Sequence, residues 1–358
     1  MNHRWMRLAV GSACRASLCL ASAERSGRQG LVILCYHRVL PREQKTRYWM
    51  PDLVVTPEAL RRHCLALRRF YDVLPLCEAF QALQTPRPRR RPFAAITFDD
   101  GYRDNLRYAA PILGETGIRA TFFIIADLIG VERAPWYDQM ACAVLECQRQ
   151  KQESGRGAIS RLVDDNGRNA PGDDHGLPAR VVEHAKRLAP AKRQELLDEL
   201  ITGVDLDAGL SPDDHIMNWN ELRELSDAGH EIGSHGRSHQ ILTQVDVDDG
   251  MLESEVRGSR CVLEDGLGRP VSTFCYPNGD ASDREAEAVA KAGYTCAVTV
   301  DPGSNGPGVD PYRLRRRFVH EDRLAGPLGT ASSTLLRLEL SGLADRVFFR
   351  PRTGTEQP

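Results

Sequence analysis

The pattern of apolar and polar residues after position 29 alternates short apolar runs with segments of helical periodicity. A short, uninterrupted apolar run is typical of a buried strand, whereas apolar residues at every third and fourth position indicate an amphipathic helix. Alternation of the two predicts a βα-repeating fold with a parallel sheet. Eight runs are predicted strands, a number that suits a barrel: Leu31–His37, Tyr71–Leu74, Phe93–Phe98, Ala120–Ile125, His230–Gly233, Val271–Tyr276, Thr295–Thr299 and Leu314–Val319.

Helical segments lie between these runs, and two of them have clear ends. Thr56 and Pro57 begin TPEALRRHCLALRRF as N-cap and first-turn proline, and Gly229 ends NWNELRELSDAG as a C-cap. Residues 131–217 interrupt the repeat with helical pieces around a Gly-, Asp- and Asn-rich run, which we interpret as an insertion over one end of the barrel. The predicted organisation is an N-terminal segment over 1–29, a domain over 30–323 with this insertion, and a helix and tail over 324–358.

The first 29 residues combine a basic start with apolar stretches and an ASA ending, as a secretory signal does. Arg15 divides the apolar stretch into halves that are short for a signal and far too short to span a bilayer. Two interpretations stay open: export to the periplasm, or a basic amphipathic helix on a membrane surface. The ten scattered cysteines, without a CxxC pair, fit free thiols in a reducing compartment, which favours a cytoplasmic or membrane-peripheral protein.

The charge balance gives no support for a nucleic-acid partner. The chain has 47 basic and 49 acidic residues, a net charge of −2, so it carries no global field of either sign. The arginine cluster 87–91 in TPRPRRRP lies between predicted elements and is interpreted as a solvated connection.

The run AAITFDDGYRDN ends a predicted strand in two adjacent carboxylates, Asp99 and Asp100. The carboxyl ends of parallel strands carry the catalytic residues of (β/α) barrels. Neighbouring carboxylates repel each other unless a metal ion or a proton relay uses them. In the alternative interpretation Asp100 only caps the next helix, and this run alone leaves both open.

A second run, GHEIGSHGRSH, places His235 and His239 four residues apart after another predicted strand. This spacing puts two imidazoles on one face of a helical turn, as in zinc sites. Asp100 is the natural third ligand, because one carboxylate and two imidazoles leave a coordination position for water. Two histidines alone also fit a structural role, but together with TFDDG they favour a site for a divalent metal, with Zn²⁺ the first candidate.

In these motifs the chain resembles the polysaccharide deacetylases of carbohydrate esterase family 4, which have the NodB-homology fold. TFDDG looks like the family's first motif, and SHGRSH is similar to its second, His-Ser/Thr-x-x-His, with Gly236 in the Ser/Thr place. The resemblance extends over about residues 31–320 and implies an α/β fold, an irregular (β/α) barrel of the NodB-homology type with a helical insertion. It also implies that Asp99 is the general base and that Asp100, His235 and His239 are the metal ligands.

The sequence departs from the family in its third motif, approximately Phe-Arg-x-Pro-Tyr-Gly, which here is FCYPNG. Cys275 stands where the family has the Arg that orients the catalytic Asp, and Asn278 replaces the Tyr whose backbone N–H serves the oxyanion. Arg316 in YRLRRRFV is our candidate for the missing Arg, with a solvated strand edge as the alternative. Tyr276 and Asn278, with Trp136 in the insertion, are the candidate substrate- and oxyanion-binding residues.

The general acid is the remaining requirement. The family's late Leu-x-His motif is absent, and FVHED offers His320 without the leucine context. A subgroup resembling bacterial poly-N-acetylglucosamine deacetylases has a YH strand at the start of the domain, and CYHRV looks like that element. His37 closes the first predicted strand at the shared catalytic end, so we predict it as the acid; a core histidine is the alternative.

These features predict a metal-dependent hydrolase that removes N-acetyl groups from amino sugars of a polysaccharide or glycolipid precursor. An N-acetylated glycan is therefore the expected partner. Two alternatives remain: an amidase that cleaves a non-sugar C–N bond with the same metal centre, and a glycan-binding barrel without catalysis.

Overall fold

A computed structural model of the chain describes residues 30–85, 91–150, 157, 159, 176–206, 209–326 and 331–340. Three of the predicted features therefore lie wholly or mostly outside the described residues. They are the N-terminal segment, most of the arginine cluster 87–91, and most of the Gly-rich run of the insertion.

Each of the eight predicted runs overlaps a strand of one parallel sheet, although β7 (Glu231–Ser234) and β9 (Cys296–Pro302) extend beyond their predicted ends. A separate parallel pair, β2 with β3, was not predicted, because each of its strands has only two residues. The strands are β1 Leu31–Tyr36, β2 Arg38–Val39, β3 Val54–Val55, β4 Asp72–Val73, β5 Phe93–Phe98, β6 Thr121–Ile124, β7 Glu231–Ser234, β8 Thr273–Cys275, β9 Cys296–Pro302 and β10 Leu314–Phe318.

Seven of these strands close into a barrel in the order β1-β10-β9-β8-β7-β6-β5, and β5 pairs again with β1. The predicted irregular (β/α) barrel is thus confirmed, with one correction. The run Tyr71–Leu74 is not a barrel strand, because β4 has two residues and pairs only with the start of β5. The end of β5 pairs instead with β6, which takes the place in the ring.

Most barrel strands are buried on both faces, which explains their continuous apolar sequences. The strands β9 and β10 also carry exposed residues, among them Val300 and Arg315. All six residues of β1 are buried. Leu31 and Ile33 belong to the cluster that fills the barrel, together with Val298 and Leu314. Val32 and the other alternate residues of β1 pack in the layer between the barrel and the helices.

Helices surround the barrel, and their predicted ends agree with the structure. The Thr56 side chain accepts a hydrogen bond from the Ala59 N–H at 3.3 Å, and Gly229 has the positive φ of 88° that follows a helix end. The α-helices of the described ranges are α1 Arg42–Lys45, α2 Pro57–Phe70, α3 Leu76–Gln84, α4 Ala110–Thr116, α5 Trp136–Gln150, α6 Gly176–Lys186, α7 Pro190–Ile201, α8 Trp219–Asp227, α9 Asp249–Glu253, α10 Ser259–Leu267, α11 Asp283–Lys291, α12 Glu321–Leu324 and α13 Ser333–Leu340.

Helix α3 closes the end of the barrel at which the strands begin. Its apolar face, which includes Leu76 and Phe80, packs with the residues inside the barrel. Its first N–H groups donate to side chains at the starts of β6 and β7: Leu76 to Thr121 at 2.9 Å and Cys77 to Glu231 at 3.1 Å. Helix α3 does not cover the opposite end, where the strands finish, and this end is where we look for a functional site.

The insertion contributes helices α5, α6 and α7 between β6 and β7. It is joined to the barrel through Arg38, a fully buried residue whose guanidinium pairs with Asp104 and, at 2.8 Å, with Asp214. The guanidinium also lies 3.9 Å from the centre of the Tyr102 ring and 4.8 Å from that of Tyr48. The residue after His37 is therefore a structural anchor.

The predicted C-terminal helix is present as α13, which buries Leu335, Leu336, Leu338 and Leu340. The rest of the tail lies outside the described residues. Within the described ranges, no helix is both long and apolar enough to cross a membrane.

His63 on α2 predicts a specific acid sensitivity. It is buried beside the Tyr36 hydroxyl, which lies 3.2 Å from its Nδ1, and desolvation lowers its pKa to about 4. The unfolded chain, with a histidine pKa near 6.5, binds a proton that the folded protein does not bind between pH 6.5 and 4. The folded pKa is the lower one, so His63 should make the free energy of unfolding fall by up to roughly 3 kcal/mol as the pH drops through this window.

Urea denaturation at several pH values from 4.5 to 7 measures this effect. His63→Leu should reduce the pH dependence by about that amount, whatever it does to stability at pH 7. His184→Gln, a change on the surface of α6, should keep the wild-type dependence. An unchanged pH slope in His63→Leu would contradict the assignment.

Candidate active site

Three barrel strands end one residue before a predicted site residue. His37 follows β1, Asp99 follows β5 and His235 follows β7. Because Tyr36 pairs with Phe98 in the parallel register of β1 and β5, the next positions, His37 and Asp99, are neighbours. The three side chains therefore meet at the same end of the barrel.

Asp100, His235 and His239 form a cluster of possible metal ligands, with their ligand atoms within 4.8 Å of one another. The Nε2 atoms of both histidines lie 3.6 Å from Asp100 Oδ1. His235 Nδ1 is 2.8 Å from the carbonyl oxygen of Cys275, so that nitrogen carries the proton and Nε2 has its lone pair free.

The electrostatics of this cluster also fit a cation. Burial, together with the neighbouring charge of Asp99, raises the pKa of Asp100 to about 8. Burial lowers the pKa of both His235 and His239, which keeps their imidazoles neutral. Two neutral imidazoles and a carboxylate that needs a positive charge to stay ionised are a donor set for Zn²⁺ or a similar ion.

The predicted helical turn from His235 to His239 is wrong, because these residues form a loop. Residues 235–239 form no helix, and Gly236 and His239 have positive φ angles of 76° and 61°. The loop is held by Glu255, whose carboxylate accepts hydrogen bonds from the N–H groups of Arg237 and Ser238 at 2.8 and 3.1 Å. Sequence reasoning missed Glu255 because it lies on a different element, 20 residues from His235 in the chain.

Backbone strain is concentrated at this site. In the described part of the chain, the non-glycine residues with positive φ are Asp100 at 71°, His239 at 61° and Asn278 at 60°. Such conformations cost of the order of 1–3 kcal/mol each and are retained where the surrounding structure fixes them. Gly101 follows the first of them with φ 85°, and a Cβ there would lie 2.7 Å from Ile124 Cδ1, so the TFDDG turn requires glycine.

Asp99 is held by a buried arginine inside the barrel. Nη1 of Arg316 donates to Asp99 Oδ1 at 2.7 Å, and its Nε donates to the carbonyl oxygen of Thr299 at 2.8 Å. Burial raises the pKa of Asp99, but Arg316 and then His37 lower it more, so the net pKa lies well below its usual range. Arg316 is only 1% exposed, which excludes a solvated edge for this residue.

Cys275 lies next to this pair. Its Sγ is 3.3 Å from Arg316 Nη2 and 3.7 Å from Asp99 Oδ2. Where the resemblance implies an arginine on β8, the structure has a small thiol on β8 and the guanidinium of a β10 residue beside it. The two residues therefore share the space around Asp99.

His37 reaches the same carboxylate from the other side, with Nε2 3.8 Å from Asp99 Oδ2. Burial lowers the pKa of His37 to about 4, against the attraction of Asp99. Its Nδ1 is buried without a hydrogen-bond partner in the described structure. His320, the other candidate acid, lies against the Phe318 ring, with the ring centroids 4.5 Å apart and the ring planes tilted by 49°.

His37, Asp99, Arg316 and the Asp100–His235–His239 cluster line a cavity of about 210 Å³, which we call the catalytic cavity. His320 is not among its lining residues. Tyr276 contributes its side chain to the wall, but its backbone N–H donates to Val298 at 3.3 Å and its hydroxyl to Tyr312 at 3.0 Å. Tyr276 is therefore not available as an oxyanion donor. Asn278 also lines the cavity, and its Oδ1 accepts a hydrogen bond from Lys186 of α6 at 3.3 Å.

The structure does not bring Trp136 to the catalytic cavity. The Arg193 guanidinium lies 4.4 Å from the centre of its ring, and Trp136 is not among the residues that line the cavity. Trp49 lines it instead, as do Lys186 and Tyr137. Trp49 does not lie next to the end of a predicted barrel strand. Its only sequence signal was a tryptophan in the otherwise polar stretch RYWM.

Comparison with known proteins agrees with this arrangement, a closed parallel barrel with a carboxylate–histidine cluster at the ends of its strands. The sequence profile of the family described as polysaccharide deacetylase matches residues 87–157 and 201–297. The chain belongs to this family. Both predicted metal motifs fall within the matched residues, whereas His37 and Arg316 lie outside them.

Relatives are distant in sequence. The protein YxkH of Bacillus subtilis, named after the same family, is 20% identical over 246 residues, which cover 69% of this chain and 58% of YxkH. The chain thus spans less than two thirds of that curated relative.

Solved structures show the shared fold. The deacetylase PplD of Streptococcus pyogenes, in complex with acetate, has a TM-score of 0.56 at 16% identity. The match covers 87% of this chain and 98% of the PplD chain. IcaB of Ammonifex degensii has a TM-score of 0.55 at 18% identity, with 87% and 97% covered.

The Arg316–Asp99 pair generates a prediction about stability. Arg316→Met should lower the free energy of unfolding by about 3–5 kcal/mol, because Asp99 would remain buried without its counter-charge. Adding Cys275→Arg to this variant should recover part of the loss, since position 275 borders the same carboxylate. Chemical denaturation measures both changes.

The neighbouring Arg315, which is exposed, provides the matched control. Arg315→Met should change stability by no more than about 0.5 kcal/mol. Equal effects of Arg315→Met and Arg316→Met would show that the buried pair is not the source of the stability.

Proposed function

We propose that this protein is a metal-dependent hydrolase that removes N-acetyl groups from amino sugars of a polysaccharide or a glycolipid precursor. The observation that carries the proposal is the position of Asp99. Its carboxylate is fixed by Arg316 and lies directly beside the Asp100–His235–His239 cluster. Membership of the polysaccharide deacetylase family supports the same reaction.

Asp100, His235 and His239 are the residues that would hold the divalent ion, with Zn²⁺ as the first candidate. When bound, such an ion polarises a carbonyl and lowers the pKa of water from 15.7 to about 7. Asp99 is the general base: Arg316 holds Oδ1, and Oδ2 accepts the proton of the attacking water.

His37 is the proposed general acid, which protonates the leaving amine. Its Nε2 lies 3.8 Å from Asp99 Oδ2, so a proton taken up by the base has a short path to the imidazole. Its lowered pKa keeps His37 neutral before the reaction and makes its protonated form a stronger acid than an ordinary imidazolium. The amine leaves with this proton, and the acetyl group leaves as acetate.

The oxyanion needs hydrogen-bond donors at the cavity wall. The backbone N–H of Asn278 is our candidate, because the Tyr276–Gly279 turn lies at that wall and the Tyr276 N–H is used in the sheet. The positive φ of Asn278 gives this turn its shape, and asparagine tolerates that conformation better than most residues do.

The two alternatives predicted from sequence are less well supported. A glycan-binding barrel without catalysis would not need a base held by a buried arginine beside a complete ligand cluster. An amidase for a non-sugar substrate would use the same centre, so only the substrate distinguishes it. A cytoplasmic or membrane-peripheral location is still our proposal, based on residues 1–29 and the cysteine content.

Acetate release tests the reaction itself. Purified full-length protein, incubated with β-1,4- and β-1,6-linked N-acetylglucosamine oligomers, should release acetate, and a chelator should abolish the release. Restoring Zn²⁺ should restore it. Absence of metal-dependent acetate release from any amino-sugar glycan would refute the proposed function.

The role of His37 can be separated from that of His320. His37→Ala should keep the bound metal and lose turnover by roughly 10²–10⁴-fold, the usual contribution of a general acid. His320→Ala should retain most turnover, because His320 does not line the catalytic cavity. Metal content and kcat, measured on both variants, decide between the two histidines; near-normal kcat in His37→Ala would exclude it as the acid.

A further inference from the structure

Trp49 lines two neighbouring cavities. One is the catalytic cavity, and the other is a larger space of about 450 Å³ between the loop after β2 and the insertion. We call the second space the Leu145 cleft. Its lining includes Gln44, Arg47, Tyr48, Trp49, Leu145 and Leu210.

The indole of Trp49 is fixed by a buried carboxylate. Asp138 of α5 has no exposed surface, and its Oδ1 accepts hydrogen bonds from Trp49 Nε1 at 2.6 Å and from the Tyr48 hydroxyl at 2.7 Å. Its Oδ2 accepts from the Tyr102 hydroxyl at 2.7 Å. The ring of Trp49 therefore keeps one orientation between the two cavities, while part of its surface stays exposed.

The size of the catalytic cavity limits what it can hold. Its 210 Å³ is below the roughly 300–1,000 Å³ of ordinary ligand pockets, so it has room for little more than one sugar ring and its acetamido group. A polymeric substrate must continue outside this cavity. The Leu145 cleft, which shares the Trp49 wall, is an adjacent space of suitable size.

Exposed apolar side chains mark both spaces. Four large hydrophobic residues are exposed in the described ranges: Leu65, Leu145, Val245 and Val300. Val300, 51% exposed, lines the catalytic cavity, and Leu145, 40% exposed, lines the cleft. Pyranose rings have apolar C–H faces, which pack on indole and aliphatic surfaces, and hydroxyl groups that need polar partners. The exposed side chains of Gln44 and Arg47 supply such partners in the cleft.

We propose that the Leu145 cleft is a second sugar-binding site, which holds the residue next to the one undergoing deacetylation. Its ligand is a pyranose ring of the same glycan, stacked against Trp49 and Leu145. This inference rests on the proposed function for the identity of the substrate, and it adds that the enzyme recognises an oligomer and not a single amino sugar.

Binding without turnover tests the cleft independently of the reaction. In an Asp99→Asn background, the affinity for β-1,4- and β-1,6-linked N-acetylglucosamine hexamers should exceed that for the monomer by at least tenfold, as measured by calorimetry. Leu145→Trp, which fills the cleft, should bring the hexamer-to-monomer affinity ratio close to one. Gln148→Trp, an exposed position on the same helix that does not line the cleft, should keep the ratio of the parent protein.

A second variant examines the stacking surface. Trp49→Phe keeps an aromatic ring but loses the hydrogen bond to Asp138, whereas Trp49→Ala loses both. The affinity ratio should fall more in Trp49→Ala than in Trp49→Phe.

Equal affinities of the parent protein for monomer and hexamers of both linkages, or an unchanged ratio in Leu145→Trp, would overturn the proposal. Failure of acetate release in the wild type would instead count against the proposed function.

Discussion

The ion pair of Arg316 and Asp99 is the constraint on which the active end of the barrel depends. Both side chains are buried, and a buried charge is tolerated only when it is paired and hydrogen-bonded. Arg316 is on β10 and Asp99 follows β5, and β1 lies between these strands and pairs with both. The pair therefore joins the two neighbours of β1 across the inside of the barrel. Below it the interior is apolar, and above it lies the catalytic cavity.

Small residues around the pair make this arrangement possible. Cys35 on β1 and Cys275 on β8 both direct their thiols to Asp99 Oδ2, at 3.5 and 3.7 Å. The guanidinium of Arg316 passes beside Cys275, where a larger side chain would compete for the same space. The small thiol at position 275, where the resemblance implies an arginine, and the buried arginine at 316 are thus two aspects of one packing solution. Either strand can supply the guanidinium, because both contribute to the same wall of a closed barrel.

The sequence predicted those parts of the structure that local patterns determine. Apolar runs located the eight strands of the larger sheet but not the short pair β2 and β3, and TFDDG with SHGRSH located the cluster of possible metal ligands, because each signal lies within a few residues. The exclusion of β4 from the ring depends on competition with β6 for the edge of β5, which no local pattern records. The conformation of the His235–His239 loop depends on Glu255, and the position of Trp49 depends on Asp138 in the insertion. These are contacts between distant segments, which residue spacing alone does not reveal.

The adjacent residues His37 and Arg38 connect the chemistry to the insertion. Successive side chains in an extended segment point in opposite directions, so the imidazole faces Asp99 while the guanidinium faces Asp104 and Asp214. Asp214 belongs to the inserted part of the chain. The rings of Tyr48 and Tyr102, which lie against the Arg38 guanidinium, donate their hydroxyl hydrogen bonds to Asp138, which also holds Trp49. The strand end that positions the proposed acid thus also positions the proposed sugar-binding wall, because both functions depend on where β1 ends.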